Sequence, residues 1–338
     1  MAIIDFDVRK NISSFAYCYA HIRKLNGLVI YMKLKMLKEL VKNWQDVILF
    51  KAGIKKNIVM RMRSGRAWKV DNAKDYAAFW NSLMYVSSKI QSLNERYGLG
   101  MSINKKKRTI KIRKFNQNIE FHFDSMKQAV NTLGLIIENF IDGQYNKLNV
   151  KGKYVVDIGA NIGDTAIFFA LKGAKHIYAF EPYPYSYNLA SKNIKANLLE
   201  DKITLINEGC GKRGFSVINP KVKKYGEDAL QASKNGNKIK INALDEIIER
   251  FDIKDAVLKI DCEGCEYQTI LNAKLKTLEK FSQMIIEYHY GYKNLIKKLR
   301  EAGFRTRCTL PGYDLTFDAN GKNRSLGLIY CDRTYTRR

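Results

Sequence analysis

A glycine-containing turn after a short apolar run is the part of this sequence best suited to hold a ligand. Residues 154–174 read YVVDIGANIGDTAIFFALKGA, in which Asp157 precedes Gly159 and Gly163 follows four residues later. Glycines at such a turn let a ligand approach the backbone, because no Cβ stands in the way. The spacing differs from the G-x-G-x-x-G of dinucleotide-binding turns, since Asn161 stands where the second glycine would be, and the G-K-[ST] of phosphate-binding loops is absent.

The acids near this turn favour a positively charged nucleoside cofactor. Asp157 would repel a pyrophosphate, whereas it would attract the sulfonium and ammonium groups of S-adenosylmethionine. Glu181 ends the next apolar run about 20 residues after the turn, where a carboxylate accepts hydrogen bonds from both hydroxyls of a ribose. Asn207 ends a third run, where groups that contact adenine are expected. The alternatives are a turn without a ligand and, for Glu181, an acid placed at a helix N-terminus.

Three carboxylates gather where a fourth apolar run ends. The segment LKIDCEGCEYQTIL (258–271) places Asp261 at the end of a strand and Glu263 and Glu266 at the start of a helix. Lys259 and Asp261 are two residues apart and therefore share one face of the strand. These acids suit a general base, metal ligands or an ion pair with Lys259, and helix capping with a structural salt bridge is the alternative.

Two cysteines and a histidine flank these acids. Cys262 and Cys265 have the C-x-x-C spacing, but no second pair lies nearby, so we interpret them as small buried thiols rather than a zinc or redox site. Glu287 and His289 follow a fifth apolar run and should share a face directed at the same cleft. His289 is a candidate proton acceptor, with a structural histidine as the alternative.

The elements that must position these residues are short buried strands separated by helices. Unbroken apolar runs that alternate with helical segments are typical of parallel βαβ units, whose strands are buried on both faces. We therefore expect an α/β fold with a doubly wound, mostly parallel sheet over residues 151–338, in which residues 325–331 form an edge strand. The five predicted strands are residues 154–159, 176–180, 203–207, 256–261 and 283–289.

The first part of the chain has a different pattern, which predicts a basic α+β segment. Apolar residues recur at helical spacing from Phe15 to Ile48, and further helices are expected over residues 75–93 and 126–141. Alternating apolar residues predict two hairpins, of residues 58–62 with 66–70 and of residues 109–113 with 119–123.

The composition of the 338 residues limits the classes of protein to be considered. An apolar content of 46% excludes a wholly disordered chain. The formal net charge of +26 favours anionic partners such as nucleic acid, phosphorylated sugars or lipids, although lysines also simply confer solubility. No apolar run reaches the roughly 18 residues needed to cross a bilayer, and the N-terminus does not resemble a secretory signal. We therefore expect a cytoplasmic protein with reduced thiols.

The motifs together resemble the FkbM family of S-adenosylmethionine-dependent methyltransferases. The resemblance covers roughly residues 126–331 and is carried by VVDIGANIGDTAIFFALKGA, AFEPYPYSY, LDEIIERFDIKDAVLKIDCEGCEYQTIL and IIEYH, in this order. It implies a class I methyltransferase fold, which is Rossmann-like, with a domain over residues 126–338. Roughly the first 100 residues resemble an extension of some prokaryotic members. We expect the basic α+β extension, residues 1–125, to recognise the acceptor or to act as a lid. Cys262 and Cys265 depart from the family, which has small aliphatic residues there.

The resemblance implies O-methylation of a hydroxyl, on a sugar, glycan or natural product, and assigns roles to the motif residues. Asp157, Gly159, Asn161 and Gly163 should line the methionine part of S-adenosylmethionine, and Glu181 should take the ribose. Catalytic candidates that face the acceptor are Asp261, Glu263 and His289, and no metal is assigned, although Asp261 and Glu263 are the alternative ligands of a hard cation. Further candidate cofactor-binding residues beside these motifs are Ala160, Asp164, Thr165, Pro182 and Asn207.

Two other functions are compatible with the sequence. A nucleic-acid methyltransferase is favoured by the net charge and by the basic run Lys105–Arg108, but base-amino methylation commonly uses an N-P-P-Y loop where this chain has Asp261-Cys262-Glu263-Gly264. A binding protein without catalysis is the other, and the retained acids Asp157, Glu181 and Asp261 argue against it.

Overall fold

The structure is a computed structural model that describes residues 34, 37–218, 236–309, 312–317 and 323–333. The chain forms two compact units that divide between Ile103 and Asn104. Most of the helical stretch predicted from Phe15 to Ile48 lies outside the described residues. Within them, no helix is long and apolar enough to cross a membrane.

In the first unit, the structure confirms the predicted hairpin of residues 58–62 with 66–70. The predicted helix 75–93 is instead two helices. The break has a local cause, because Ser82 caps the second helix by accepting the backbone N–H of Tyr85. The two helices bury Phe79 and Val86 in the core of this unit. The elements of the unit are α1 Trp44–Lys51, β1 Ile58–Arg61, β2 Ala67–Val70, α2 Ala73–Trp80 and α3 Leu83–Tyr97, with β3 Ser102–Asn104 at the boundary.

The second unit alternates strands and helices, as the apolar runs predict. A π-helical turn, Ile137–Asp142, directly follows its first helix. The helices are α4 Met126–Ile136, α5 Asp164–Leu171, α6 Pro184–Ala196, α7 Leu244–Arg250, α8 Cys265–Asn272, α9 Leu275–Leu278 and α10 Lys293–Glu301. The strands are β4 Thr109–Lys114, β5 Gln117–His122, β6 Tyr154–Ile158, β7 His176–Phe180, β8 Ile203–Ile206, β9 Gly209–Cys210, β10 Gly214–Ile218, β11 Asn237–Asn242, β12 Ala256–Ile260, β13 Phe281–Tyr288, β14 Phe304–Cys308, β15 Gly312–Phe317 and β16 Asn323–Arg333.

One twisted sheet organises this unit, with the strand order β14-β16-β13-β12-β6-β7-β8. The five strands from β13 to β8 in this order are parallel, and β16 runs antiparallel between β13 and β14. All five side chains of β12 are buried, which explains why this strand is an unbroken apolar run except for Lys259. This topology confirms the predicted doubly wound, mostly parallel fold.

The chain reverses its direction of progress across the sheet between β6 and β12. From β6 the chain continues through β7 to β8 on one side, and from β12 it continues to β13 on the other. The connections therefore diverge at this pair, and a crevice opens beyond the carboxyl ends of the two strands. The predicted turn after β6 and the carboxylates after β12 meet at that crevice.

The predicted hairpin of β4 and β5 belongs to the second unit. Its outer strand is attached to α6 by two asparagines, because the backbone N–H groups of Glu120 and His122 donate to the side chains of Asn197 and Asn193. Asn193 is fully buried and also donates to the carbonyl of Ile162 in the turn after β6. The hairpin is thus linked through Asn193 to the turn after β6.

The C-terminal strand differs from the expectation for residues 325–331. These residues lie within β16, which is an interior strand rather than an edge strand, because β14 pairs with its outer side. The polar sequence FRTRC of β14 gives no strand signal, and three of its five side chains are exposed, as suits a strand at the edge. A small sheet of β10, β11 and β9 was also not predicted.

Candidate functional site

The turn after β6 closes on the end of the neighbouring strand. Gly159, Asn161 and Gly163 all have left-handed backbone angles, with φ of 82°, 48° and 80°. A Cβ at Gly159 would lie 1.8 Å from the carbonyl oxygen of Asp261. Glycine is therefore required there by the close approach of the chain's own backbone, in addition to any approach of a ligand.

A small cavity of about 20 Å³ opens beside this turn. Five predicted residues line it: Gly159, Asn161, Asp164, Thr165 and Asp261. Two polar residues of the π-helical turn, Glu138 and Asn139, also line it and were not predicted. The turn after β6 and the acid after β12 therefore face a common space.

Asp157 is fully buried below this cavity, where it pairs with Lys259 of the adjacent strand. The Lys259 Nζ lies 3.1 Å from the Asp157 carboxylate and donates to the Gly159 carbonyl at 2.7 Å. Thr165 donates its hydroxyl to Asp157 at 2.6 Å. Burial opposes the charge of Lys259, but the neighbouring acids, first Asp157, raise its pKa, so the ammonium stays charged. The ion pair of Asp157 with Lys259 therefore holds the turn in place. Asp157 is not among the described residues that line the cavity.

Asp164 begins α5 and is joined to the π-helical turn. The Asn139 amide donates to Asp164 Oδ2 at 2.5 Å, and both side chains are only 2% exposed. The Oδ1 atoms of both residues are buried without a hydrogen-bond partner among the described residues. Burial raises the pKa of Asp164 to about 7, although the charge of Lys259 opposes this shift.

Glu181 and Asn207 connect the ends of β7 and β8 to the turn. The Glu181 carboxylate accepts the backbone N–H of Asn161 at 2.8 Å and that of Tyr183 at 2.9 Å. Burial raises its pKa to about 7 against the effect of these two donors. Asn207 donates to the carbonyls of Glu181 and Pro182. Glu181 keeps two unused acceptor sites, since a carboxylate accepts about four hydrogen bonds.

Asp261 stands directly after β12, half-buried at the mouth of the cavity. In the described part of the chain its carboxylate forms no hydrogen bond and no ion pair with another side chain. Two residues on, Glu263 has a left-handed backbone with φ of 58°, an uncommon conformation for this residue type. The turn that precedes α8 therefore carries two acids, Asp261 and Glu263.

His289 lies between two glutamates of this turn and helix. Its Nδ1 is 3.0 Å from Glu266 and its Nε2 is 3.3 Å from Glu263. Glu266 is fully buried and also accepts the backbone N–H groups of His289 and Gly264. Burial opposes a charge on the imidazole, but the two carboxylates outweigh it and raise the pKa of His289 to about 11. The ring is therefore a protonated donor at neutral pH.

Glu287 joins this group from the end of β13. Ligand atoms of Asp261, Glu287 and His289 all lie within 4.8 Å of one another, a spacing that could hold a metal ion. Burial, and then the charge of Asp261, raises the pKa of Glu287 well above its usual range. The alternative metal site from the sequence paired Asp261 with Glu263, whereas in the structure Asp261 is grouped with Glu287 and His289.

Cys262 and Cys265 are joined by a disulfide, with their Cα atoms 5.5 Å apart. The interpretation of this pair as small reduced thiols is therefore wrong. The bond spans the turn between β12 and α8, so it fixes the segment from which Glu263 and Glu266 reach His289. The free cysteines of the described residues are Cys210, Cys308 and Cys331.

The residues that sequence reasoning missed precede the recognised motif. Glu138 and Asn139 fall inside the predicted helix 126–141, at positions that an α-helical register does not direct to a common ligand. The π-helical turn changes that register, and no feature of the sequence announces it. Glu266 was noted among the acids, but its role in holding His289 depends on two strand ends that only the fold brings together.

Residues 157–306 match the family model described as the methyltransferase FkbM domain. The matched range begins at the acid before the turn and includes Glu181, Asp261, Glu263 and His289. Over residues 157–306, which are less than half of the chain, the match agrees with the family resemblance found in the sequence and with the S-adenosylmethionine donor that the resemblance implies.

Parts of this chain are similar in sequence to several curated proteins. It is 51% identical over 55 residues to the ribosomal protein L11 methyltransferase of Carboxydothermus hydrogenoformans, which is 16% of this chain and 18% of that protein. It is 29% identical over 157 residues to the uncharacterized protein 158B of Sulfolobus islandicus rod-shaped virus 1, which is 46% of this chain and 73% of that protein. It is 34% identical over 116 residues to the probable histone-arginine methyltransferase 1.4 of Arabidopsis thaliana, which is 32% of this chain and 21% of that protein. The chain thus spans about a fifth of the length of two of the three.

Among solved structures, TrmK of M. capricolum, in complex with S-adenosyl-homocysteine, aligns with 56% of this chain and 66% of its own. The sequences are 18% identical and the TM-score is 0.36, a similarity too low to bear on function.

Proposed function

We propose, from the methyltransferase FkbM domain that residues 157–306 match, that this protein is an S-adenosylmethionine-dependent methyltransferase that acts on a hydroxyl of a sugar, glycan or similar natural product. One observation carries the proposal. Asp261 lines the cavity beside the turn after β6 and also lies within 4.8 Å of ligand atoms of Glu287 and His289. Asp261 therefore lies next to the residues expected to face the cofactor and also next to those expected to face the acceptor.

The charges beside the turn after β6 suit a cationic donor. The wall of the cavity carries Glu138, Asp164 and Asp261, and two buried oxygen atoms there lack a hydrogen-bond donor among the described residues. Glu181, beside the turn, keeps acceptor sites for ribose hydroxyls. When bound, S-adenosylmethionine supplies an electrophilic methyl group on a sulfonium that leaves as a neutral thioether.

Asp261 is the proposed acceptor of the hydroxyl proton. A hydroxyl that attacks carbon must lose its proton, and one carboxylate within hydrogen-bond reach suffices to take it. Asp261 has no competing hydrogen bond from a described side chain, whereas His289 already carries a proton and donates to Glu263 and Glu266. We assign Glu263 and His289 to positioning: they hold the turn so that Asp261 faces the cavity.

A labelled-methyl assay tests this function. Wild-type protein and the variant Asp261→Asn are incubated with methyl-labelled S-adenosylmethionine and with glycan, lipid and RNA fractions of a cell extract. We expect wild-type protein to label the glycan fraction and Asp261→Asn to label it far more slowly. Label that is confined to RNA and released by nuclease would overturn the proposed acceptor.

A nucleic-acid acceptor is the second candidate, and the basic turn Lys105–Arg108 favours it. All four side chains are exposed between β3 and β4, on a chain with a net charge of +26. The acids around Asp261 oppose it, because a polyanion is repelled by a carboxylate-rich cleft. RNA binding that weakens steeply with salt, together with RNA methylation, would place this candidate first.

A further inference from the structure

The disulfide between Cys262 and Cys265 is an exchangeable covalent bond that the proposed function does not use. It joins the end of β12 to the first residue of α8, and neither cysteine is sealed in the core, since both are half-buried. Disulfides in reducing compartments are usually transient and serve catalysis or redox sensing. The turn that carries Asp261 and Glu263 therefore contains a bond whose state a thiol reagent can change.

The disulfide closes a turn whose backbone has uncommon conformations. Between the two cysteines, Glu263 and Gly264 have positive φ angles of 58° and 116°. A left-handed residue that carries a Cβ persists only where the surrounding structure enforces its conformation. The covalent link across the turn contributes to that enforcement, as does the contact of Glu263 with His289. Opening the bond therefore removes one restraint from Glu263.

Reduction also creates a hydrogen-bond donor beside Glu266. The sulfur of Cys262 lies 3.7 Å from Glu266 Oε2, which is within reach of a thiol hydrogen bond. That oxygen accepts the backbone N–H of Gly264, while Oε1 accepts the backbone N–H of His289 and lies 3.0 Å from its ring Nδ1. A disulfide sulfur has no proton to donate, so the additional bond exists only in the reduced protein. Reduction thus changes the bonding of the carboxylate that holds His289.

We propose that Cys262 and Cys265 form a redox-modification site that controls methyl transfer. The disulfide state holds the turn before α8 so that Asp261 faces the cavity, and the dithiol state releases the turn and lowers turnover. The reductant belongs to the chemical class of dithiols. The inference goes beyond the proposed function, although its effect on turnover rests on that function.

The exchange with a dithiol is balanced without a further reactant. A thiolate of the reductant attacks the sulfur of Cys262, which breaks the bond to Cys265 and forms a mixed disulfide. Cys265 leaves as a thiolate at the N-terminus of α8, where the helix favours negative charge, and then takes a proton. The second thiolate of the reductant attacks the mixed disulfide, so that Cys262 also becomes a thiol and the reductant becomes a disulfide. The chain gains two electrons and two protons, and the reductant loses them.

The test measures turnover of the full-length protein in both redox states. One sample is kept without reductant and the other is reduced with dithiothreitol, and alkylation with peptide mass spectrometry measures the fraction of the Cys262–Cys265 bond in each. We expect reduction to lower turnover in the labelled-methyl assay about tenfold or more, because displaced catalytic groups lose their alignment with the substrate. Oxidised dithiothreitol should restore turnover. Calorimetry should show unchanged binding of S-adenosylhomocysteine, since neither cysteine is among the described residues that line the cavity.

Two variants separate this disulfide from other effects of the reductant. The double variant Cys262→Ala/Cys265→Ala lacks the bond, so we expect its turnover to be low with and without dithiothreitol. Cys308→Ser is the matched control, because it removes an exposed free thiol. It should keep the turnover of the wild type and lose it upon reduction.

Hydrogen exchange on the wild-type protein reports on the turn without an activity assay. We expect the amides of residues 261–266 to exchange faster after reduction, and those of the β4–β5 hairpin to exchange at the same rate in both states. An unchanged rate in residues 261–266 would show that the bond does not hold the turn, and the inference would be wrong.

The outcomes distinguish this inference from the proposed function. Equal turnover of oxidised and fully reduced wild-type protein overturns the redox site and leaves the methyltransferase assignment in place. A bond that dithiothreitol does not open in the folded protein overturns the redox site as well. If neither redox state transfers methyl groups, the proposed function is wrong, and the control of turnover is wrong with it even where hydrogen exchange shows that reduction releases the turn.

Discussion

Asp261 lines the cavity and also lies beside Glu287 and His289. Its carboxylate is uncommitted within the described residues, while Glu263, Glu266 and His289 are bonded to one another. A base needs an accessible lone pair near the reacting hydroxyl, and of these four residues Asp261 is the one that lines the cavity.

We therefore expect Asp261→Asn to lower turnover by about 10²–10⁴-fold at saturating cofactor, since this is the usual contribution of a positioned base. Binding of S-adenosylhomocysteine should persist, because the substitution removes a proton acceptor and leaves the turn intact. Steady-state kinetics and calorimetry measure the two effects. Asp252→Asn, an exposed acid paired with Lys254, is the control and should be fully active; equal turnover in both variants would remove Asp261 from the mechanism.

His289→Gln should destabilise the protein by about 3 kcal/mol at neutral pH, because it leaves Glu266 buried without its cation. The pKa of His289 is raised from 6.5 to about 11 by Glu263 and Glu266, with Asp261 and Glu287 also facing the ring. The ion pair therefore stabilises the fold fully below about pH 6.5 and is lost as the pH rises towards 11. The difference in free energy of unfolding between wild type and variant should shrink between pH 7 and pH 10 in urea titrations, and a constant difference would contradict the charged state.

Single residues could be predicted from the sequence where their role is local to a strand end. Asp261, Glu181 and the turn residues lie where spacing alone placed them. The partners of Asp157 could not be predicted, because the sequence suggested that Lys259 would pair with the acids that follow it. The register of β12 against β6 instead places Lys259 beside Asp157 on the adjacent strand.

At the scale of elements, the turn after β6 and the end of β12 depend on each other. We expect Gly159→Ala to reduce the free energy of unfolding by about 3 kcal/mol, since its Cβ would meet the Asp261 carbonyl and its φ is left-handed. Gly152→Ala is the matched control: its φ is also left-handed, at 71°, but nothing lies within 4 Å of the added Cβ. Gly152→Ala should reduce the free energy of unfolding by about 1 kcal/mol. Equal losses of unfolding free energy for the two variants in denaturant titrations would contradict the close approach of Gly159 to Asp261.

The disulfide between β12 and α8 predicts a specific pattern of thiol reactivity. Without reductant, alkylation of the native protein should modify the exposed Cys308 and spare Cys262 and Cys265. After reduction and unfolding, the two spared cysteines should react as a pair. Peptide mass spectrometry reads both states, and alkylation of Cys262 in the unreduced protein would contradict the bond.

The five parallel strands were predictable because each contains a short run that is mostly apolar. The structure confirms all five within two residues of the predicted ends. The elements that escaped prediction lack this signal: β14 is polar because it lies at an edge, and β9 has two residues. The π-helical turn escaped because its hydrogen-bond register, rather than its composition, distinguishes it from the helix before it.

At the scale of the whole molecule, the boundary at Ile103 and Asn104 separates the first unit from the second, which contains the turn after β6. We propose that the first unit determines which acceptor is used, as expected for the basic extension. A fragment that starts at Asn104 should fold, retain the β4–β5 hairpin and bind S-adenosylhomocysteine, but should not methylate the acceptor of the full chain. Calorimetry and the labelled-methyl assay on both proteins measure this. A folded fragment that fails to bind the cofactor would show that the division is not functional.

The contact between Gly159 and the backbone of Asp261 has a consequence for the sequence of events during turnover. In the proposed function the turn after β6 binds the nucleoside and Asp261 accepts the proton. The two segments are in close backbone contact at Gly159, so we expect binding at the turn to shift Asp261. We therefore expect compulsory-order addition, with the methyl donor as leading substrate and its demethylated product as the last species to depart. Product-inhibition patterns would reveal this order, because that product should compete with the donor alone.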